Sequence, residues 1–106
     1  EIIKAIERDF GSFDAWLEEF KALGLSARGW VILAYDFNDG KLRNYICDIH
    51  NQGGIWGTAP LIVLDVYEHA YFIDFGADKK AYIEAYFQNL NWQKAEEKYN
   101  KIIKIL

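Results

Sequence analysis

With 106 residues, 52% of them hydrophobic and 17% aromatic, the chain is large and apolar enough for one folded domain. A net charge of −4 with scattered lysines argues against a nucleic-acid partner, which needs a clustered basic face. No apolar run approaches the roughly 20 residues that cross a bilayer, no signal peptide is visible, and a single cysteine rules out an internal disulfide. We therefore expect a cytoplasmic protein without membrane or nucleic-acid partners. Because methionine is absent, we also expect a processed chain or a piece of a longer one.

Two helical patterns open the chain. Apolar residues among charged ones over Ile2–Ile6 predict an amphipathic helix that ends near Gly11. Ser12 has the chemistry of an N-cap, and the apolar residues of Phe13–Phe20 follow it at helical spacing. The sequence therefore predicts a second helix, ended by Gly24.

Three strands are predicted next. Trp30–Tyr35 is continuously apolar and rich in β-formers, and Leu42–Cys47 follows the turn residues Asn38–Gly40, so the two predict a hairpin. His50–Ala59 is a glycine-punctuated loop. Leu61–Val66 is apolar except for Asp65, which predicts a third strand buried on both faces.

Helical spacing returns in the last part of the chain. It covers Lys79–Phe87 and Asn91–Leu106, and Asn91 has the chemistry of an N-cap. The layout is α-α-β-β-β-α-α, which predicts an α+β domain with a small three-stranded antiparallel sheet flanked by helices.

The end of the third strand carries an unusual pair. Within the apolar run Leu64–Phe75, Asp65 and His69 lie four positions apart, with Glu68 beside the imidazole. A carboxylate buried alone costs several kcal/mol, so Asp65 needs a partner. In one interpretation Asp65 caps the following turn and His69 is a core histidine, which is the commoner case for an isolated Asp-x-x-x-His. In the other, both side chains bind one zinc, iron or manganese ion.

Ligand count separates these interpretations. Three or more protein ligands are usual, but the only other histidine is His50, and Cys47 lies on a predicted strand. Cys47 has no cysteine partner and is expected to be a small buried residue. Asp65 and His69 are therefore structural, or the missing ligands come from residues outside this chain.

Four stretches, in the right order, carry a resemblance to a known family. DVYEHAYFIDF (Asp65–Phe75) resembles the Asp-x-Trp-Glu-His-Ala-Tyr signature of the iron/manganese superoxide dismutases. DFGSFDAWLEEF (Asp9–Phe20) resembles the start of the family's C-terminal domain, and GWVILAYD (Gly29–Asp36) resembles its first strand. AYIEAYFQNLNW (Ala81–Trp92) resembles its tyrosine-containing helix and the following Asn-Trp.

The resemblance covers only the family's C-terminal domain, so residues 1–106 are expected to be that domain. Its N-terminal pair of helices, each of which supplies one histidine ligand, is absent from this chain. The family site is three histidines, one aspartate and a solvent molecule. The resemblance implies that Asp65 and His69 are the two C-terminal metal ligands and that Trp30 is a pocket-wall tryptophan. It also implies that Glu68 crosses the dimer interface and bonds the partner subunit's ligand histidine.

The group that hydrogen-bonds the metal-bound solvent has two candidates in the loop. Gln52 matches the glutamine of manganese types, whereas His50 with its following asparagine matches the His-Asn of archaeal-type members. His50 lies 15 residues before Asp65, the distance found in that type. We favour His50 over Gln52, and with it iron over manganese.

Four positions depart from the family pattern. Tyr67 replaces a pocket tryptophan, and Phe72 replaces a tyrosine that bonds across the dimer interface. Lys79 replaces an arginine near the substrate entrance, which keeps the charge but loses the planar fork, and Phe87 replaces a frequent tryptophan. None of them is a ligand position.

The resemblance implies a superoxide dismutase that contains one iron or manganese ion per full-length subunit and forms a homodimer or tetramer. Its partners would be its own N-terminal helical domain and the substrate superoxide, and the 106-residue piece alone would be inactive. A second hypothesis is an isolated, non-catalytic domain that acts as a self-associating structural module.

Overall fold

The computed structural model describes residues 1–47, 57–67 and 78–105. Within these ranges the hydrophobic periodicity of the sequence resolves into helices and strands in the predicted order. In chain order they are α1 (Ile2–Phe10), α2 (Phe13–Ser26), β1 (Trp30–Asp36), β2 (Lys41–Cys47), β3 (Thr58–Asp65), α3 (Lys79–Gln88) and α4 (Trp92–Ile105). None of the helices in the described ranges has the length and apolarity that a membrane span needs.

The three strands form one antiparallel sheet in the order β2-β1-β3. Trp30, the first residue of β1, lies opposite Asp65, the last residue of β3. The turn between β1 and β2 uses the predicted residues, and Gly40 adopts a positive φ of 71° that favours glycine. The predicted α+β class, a three-stranded antiparallel sheet flanked by helices, is confirmed.

One prediction about β3 is wrong. The strand begins at Thr58 rather than Leu61, and Val63 is 39% exposed, so the strand is not buried on both faces. The register places Val63 beside Ile32, on the opposite face from Leu64. The side chain of Leu64 belongs to the core that the helices cover, whereas the described helices leave the Val63 face partly open. The apolar sequence of β3 therefore does not mean that both faces of the strand are buried.

Aromatic side chains of α2 form the centre of the core. Trp16 and Phe20 are fully buried, with their ring centroids 5.4 Å apart. Phe87 of α3 packs edge-on against both rings, so phenylalanine fills this position of the aromatic core. The indole N–H of Trp16 donates to Oδ1 of Asn44 at 3.0 Å, which joins α2 to β2.

The helix boundaries follow local capping chemistry at three positions. Ser12 accepts a hydrogen bond from the Ala15 N–H at 3.0 Å, and Asn91 accepts one from the Lys94 N–H at 3.1 Å, as predicted. Gly11 ends α1 with a φ of 92°.

Gly24 does not end α2, contrary to the prediction, because the helix continues to Ser26. The glycine is buried, and a Cβ there would lie 3.1 Å from Cδ1 of Ile83 and 3.4 Å from Cδ2 of Leu64. Gly24 therefore allows α2 to approach both α3 and β3 closely. This approach places the end of α2 next to the end of β3.

Asp9 joins α1 to β2 through a carboxylate whose side chain is 3% exposed. It accepts hydrogen bonds from the Arg8 guanidinium at 2.7 and 2.9 Å and from the Leu42 N–H at 2.8 Å. Burial alone would raise the pKa of Asp9, but these donors and the charge of Arg8 hold it below its ordinary value.

The contact at Gly24 predicts a large stability loss for Gly24→Leu. The added side chain would overpack the space against Ile83 and Leu64, which costs about 1–3 kcal/mol. Ala22→Leu, at an exposed position of the same helix, is the matched control and should change stability by less than about 0.5 kcal/mol. Urea unfolding measures both, and equal stability of the two variants would contradict the close approach.

The lowered pKa of Asp9 predicts an acid-dependent part of stability. Its contribution is complete above the unfolded-state pKa of about 3.9 and is lost as the pH falls through the lower folded-state pKa. Asp9→Asn should therefore flatten the fall in unfolding free energy between about pH 5 and pH 2. Asp14→Asn, on the exposed first turn of α2, should keep the wild-type slope. Denaturant unfolding across this pH range makes the comparison.

Candidate metal centre

Asp65 is held at the end of β3 by its own turn. Its Oδ1 accepts a hydrogen bond from the Tyr67 N–H at 3.0 Å, and the intervening Val66 N–H donates to the Gly29 carbonyl at 2.7 Å. An aspartate that bonds the main chain two residues on is a common way to end a strand. Asp65 therefore caps the following turn, as one interpretation of the sequence predicted.

Capping does not exclude metal binding. An ionised carboxylate has two oxygens and about four acceptor sites, so it can accept a main-chain N–H and also bind a cation. Asp65 is half-buried at a strand end, and its short side chain is oriented by the Tyr67 N–H. An oriented carboxylate of this kind fits an iron or manganese ligand.

Two aromatic side chains flank this carboxylate along the chain and across the sheet. Trp30 lies directly opposite Asp65 in the register, and its ring packs edge-on against Tyr67, with the centroids 6.1 Å apart. Both aromatic residues are half-buried. The structure thus brings Trp30 and Asp65 together. Tyr67, one of the four departures from the family pattern, packs beside them.

Two tyrosines of α3, which residue types and spacing did not single out, contact the same strand. The Tyr82 hydroxyl donates to the main-chain carbonyl of Asp65 at 2.8 Å, and the Tyr86 hydroxyl donates to that of Val63 at 3.0 Å. Burial raises the pKa of Tyr86 to about 12, and burial together with the negative charge of Asp65 raises the pKa of Tyr82. Both hydroxyls therefore remain protonated donors at neutral pH. Their spacing of four residues on one helix was the available signal.

Lys79, at the start of α3, reaches the end of α2. Its ammonium group donates to the carbonyls of Leu25, at 3.2 Å, and Ala27. A cation at a helix C-terminus also complements the negative end of the helix dipole. Lys79 thus fastens α3 to the connection between α2 and β1, the same connection whose Gly29 holds the turn after Asp65.

The remaining predicted site residues lie outside the described ranges. They are His50, Gln52, Glu68 and His69, and Phe72 lies there too. Within the described residues, no group of three or more His, Cys, Asp or Glu side chains could hold a metal ion. Of the two ligands that the resemblance assigns to this chain, the described part of the chain contains Asp65.

The family model for the C-terminal domain of iron/manganese superoxide dismutases matches residues 1–98. A manganese superoxide dismutase of Haloarcula marismortui is 43% identical over 97% of this chain and 51% of its own length. An iron superoxide dismutase of Aquifex aeolicus is 43% identical over 95% of the chain and 47% of its own. That of Cupriavidus metallidurans, also named an iron enzyme, is 44% identical over 90% and 49%.

The chain spans about half the length of the curated relatives that it matches. Relatives named for manganese and for iron are equally similar to it, so similarity does not separate the two metals. The family model covers nearly all of the chain, including Asp65, Glu68 and His69. The chain therefore belongs to the iron/manganese superoxide dismutase family, of which it carries the C-terminal domain.

Proposed function

We propose that this chain is the C-terminal half of a superoxide dismutase, which converts two superoxide anions and two protons into dioxygen and hydrogen peroxide. The observation that carries the proposal is the carboxylate of Asp65, oriented at the end of β3 by the Tyr67 N–H. The resemblance assigns this same aspartate as a ligand. Membership of the family supports the reaction class.

In this proposal Asp65 and His69 bind one iron or manganese ion, and two further histidines come from an N-terminal helical domain of the full-length protein. When bound, the metal supplies reversible one-electron redox between its +3 and +2 states. The negative charge of Asp65 favours the higher oxidation state relative to a set of nitrogen ligands alone. Trp30, opposite Asp65 in the register, and Tyr67, whose ring packs against that of Trp30, would form part of the wall of this site.

Residues outside the described ranges complete the proposal. His50, favoured over Gln52, hydrogen-bonds the solvent molecule at the site, and this choice favours iron. Glu68 reaches the partner subunit's ligand histidine in a homodimer or tetramer and fixes its orientation. The protein is proposed to act in the cytoplasm.

Substrate attraction must be local, because the chain as a whole carries a net charge of −4. Lys79 is our candidate for this role. Its ammonium group is held in place by the carbonyls of Leu25 and Ala27, close in the fold to the turn after Asp65.

A self-associating structural module is the second candidate. It needs a continuous exposed apolar surface, and the described residues include single exposed side chains such as Leu25, Phe37 and Ile105. Single exposed apolar residues are ordinary on soluble proteins, so they do not favour this candidate. Stoichiometric metal in the full-length protein separates the two functions.

We expect Asp65→Asn in the full-length protein to lower the metal content from one ion per subunit to less than about a tenth, and to abolish dismutation. Asparagine keeps an oxygen for the Tyr67 N–H, so the turn survives while the charged ligand is lost. Elemental analysis and a superoxide assay measure the two effects.

Asp14→Asn makes the same chemical change at an exposed position of α2 and should keep both metal and activity. Full metal content in Asp65→Asn would show that Asp65 only caps the turn. A full-length wild type that binds neither iron nor manganese would overturn the proposed function. The 106-residue chain alone should bind no metal stably, whether it carries Asp65 or the Asp65→Asn substitution.

For Lys79 we expect Lys79→Met to lower the second-order rate constant for superoxide about 3- to 10-fold at low ionic strength, with a smaller effect near 0.15 M salt. Lys80→Met removes the same charge from the exposed neighbouring position and should lower the rate less than about twofold. Lys79→Arg should restore the rate. Pulse radiolysis at both salt concentrations, with an unfolding curve for each variant, measures this, and equal losses for Lys79→Met and Lys80→Met would contradict the role.

A further inference from the structure

The outer edge of β3 is covered by hydroxyl groups rather than by a fourth strand within the described residues. Since β1 occupies one side of β3, the carbonyls of alternate residues on the other side need donors. Tyr82 and Tyr86 supply them, to Asp65 at 2.8 Å and to Val63 at 3.0 Å. α3 therefore runs antiparallel to β3 along this edge.

The match between helix and strand follows from their geometry. Four residues of an α-helix advance by about 6 Å, and two residues of a strand advance by about 6.7 Å. Tyrosines four apart on α3 can therefore reach carbonyls two apart on β3 at the same time. Ile83, between them in sequence, is buried against the space that Gly24 leaves open, which fixes the rotation of the helix.

The Tyr82 and Tyr86 hydroxyls bond different parts of β3, one at its end and one in its interior. Val63 lies inside β3 and is followed by further ladder pairs, so the strand holds its position even without Tyr86. Asp65 is the last residue of the strand, where ladder hydrogen bonds end and backbone opening costs least. The Tyr82 hydroxyl holds its carbonyl from one side, while the turn beyond it is held by the Val66 N–H to Gly29.

We propose that the Tyr82 hydroxyl is a positioning group for the Asp65 carboxylate, holding the strand end so that the side chain keeps one orientation before a ligand binds. The consequence for metal affinity rests on the proposed function. The positioning itself depends only on the hydrogen bonds from Tyr82 and Tyr67 to Asp65. It is therefore expected in the metal-free protein too. Tyr82 is not a ligand in this role, because its hydroxyl is committed to the Asp65 carbonyl.

The test compares Tyr82→Phe with Tyr86→Phe in the full-length protein. Each change removes one hydroxyl from the same helix and one hydrogen bond to the same strand, so the two should lose similar global stability. In the metal-free protein we expect the Tyr67 amide, which donates to Asp65, to exchange hydrogen about tenfold faster in Tyr82→Phe. In Tyr86→Phe its exchange should stay within about twofold of the wild type.

In the metal-loaded protein Tyr82→Phe should lose iron or manganese to a chelator about tenfold faster, with a shifted absorption spectrum of the bound ion. Tyr86→Phe should keep the wild-type dissociation rate and spectrum. Unchanged Tyr67 exchange in Tyr82→Phe, or equal changes in both variants, would overturn the positioning role. If the wild type binds neither metal, the proposed function fails, and the Tyr67 exchange still decides the role of Tyr82.

Discussion

The structure around the end of β3 depends on one constraint, which is that the Asp65 carboxylate follows an apolar strand and must find hydrogen-bond donors there. Asp65 follows Ile62 and Leu64, which are buried, and Val63, which is partly exposed. Its charge and its main-chain groups therefore require donors close by. The Tyr67 N–H donates to the carboxylate and the Tyr82 hydroxyl donates to the main-chain carbonyl. The next residue is held in turn by the hydrogen bond from the Val66 N–H to the Gly29 carbonyl.

The position of α2 links that strand end to the aromatic core. Trp16 and Phe20 anchor the helix in the core, and Gly24 lets its last turns lie against β3 and α3. The connection that follows then receives both the Lys79 ammonium group and the Val66 N–H. Packing far from the candidate metal centre therefore sets where its carboxylate stands.

What the sequence predicted well depends on neighbours in sequence. The caps at Ser12 and Asn91 need only the next three residues, and the turn before Gly40 needs only its own four. The errors depend on distant residues. In the sequence, a glycine required for close packing cannot be told from a glycine that ends a helix. Only the contacts with Ile83 and Leu64 show that Gly24 is of the first kind.

The candidate site shows the same division. Residue types and spacing identified Asp65 and Trp30, which the fold brings to facing positions of β3 and β1. Tyr82 was missed because its value lies in the direction of its hydroxyl toward a main-chain carbonyl, and composition carries no such direction. The exposure of Val63 is hidden in the sequence for a related reason, since an apolar run does not reveal which face the helices cover.

A metal site shared between two halves of a protein makes a particular demand on each half. If the histidines of the other half arrive on separate helices, every freely rotating ligand adds an entropic cost to assembly. In the proposed function, fixing Asp65 from the turn and from α3 before a metal binds would move that cost into the folding of this domain. Relatives named for iron and for manganese are equally similar to this chain, so such preorganisation would serve either metal. Selection between the two then depends on the groups that surround the ligands, because the ligand types suit both.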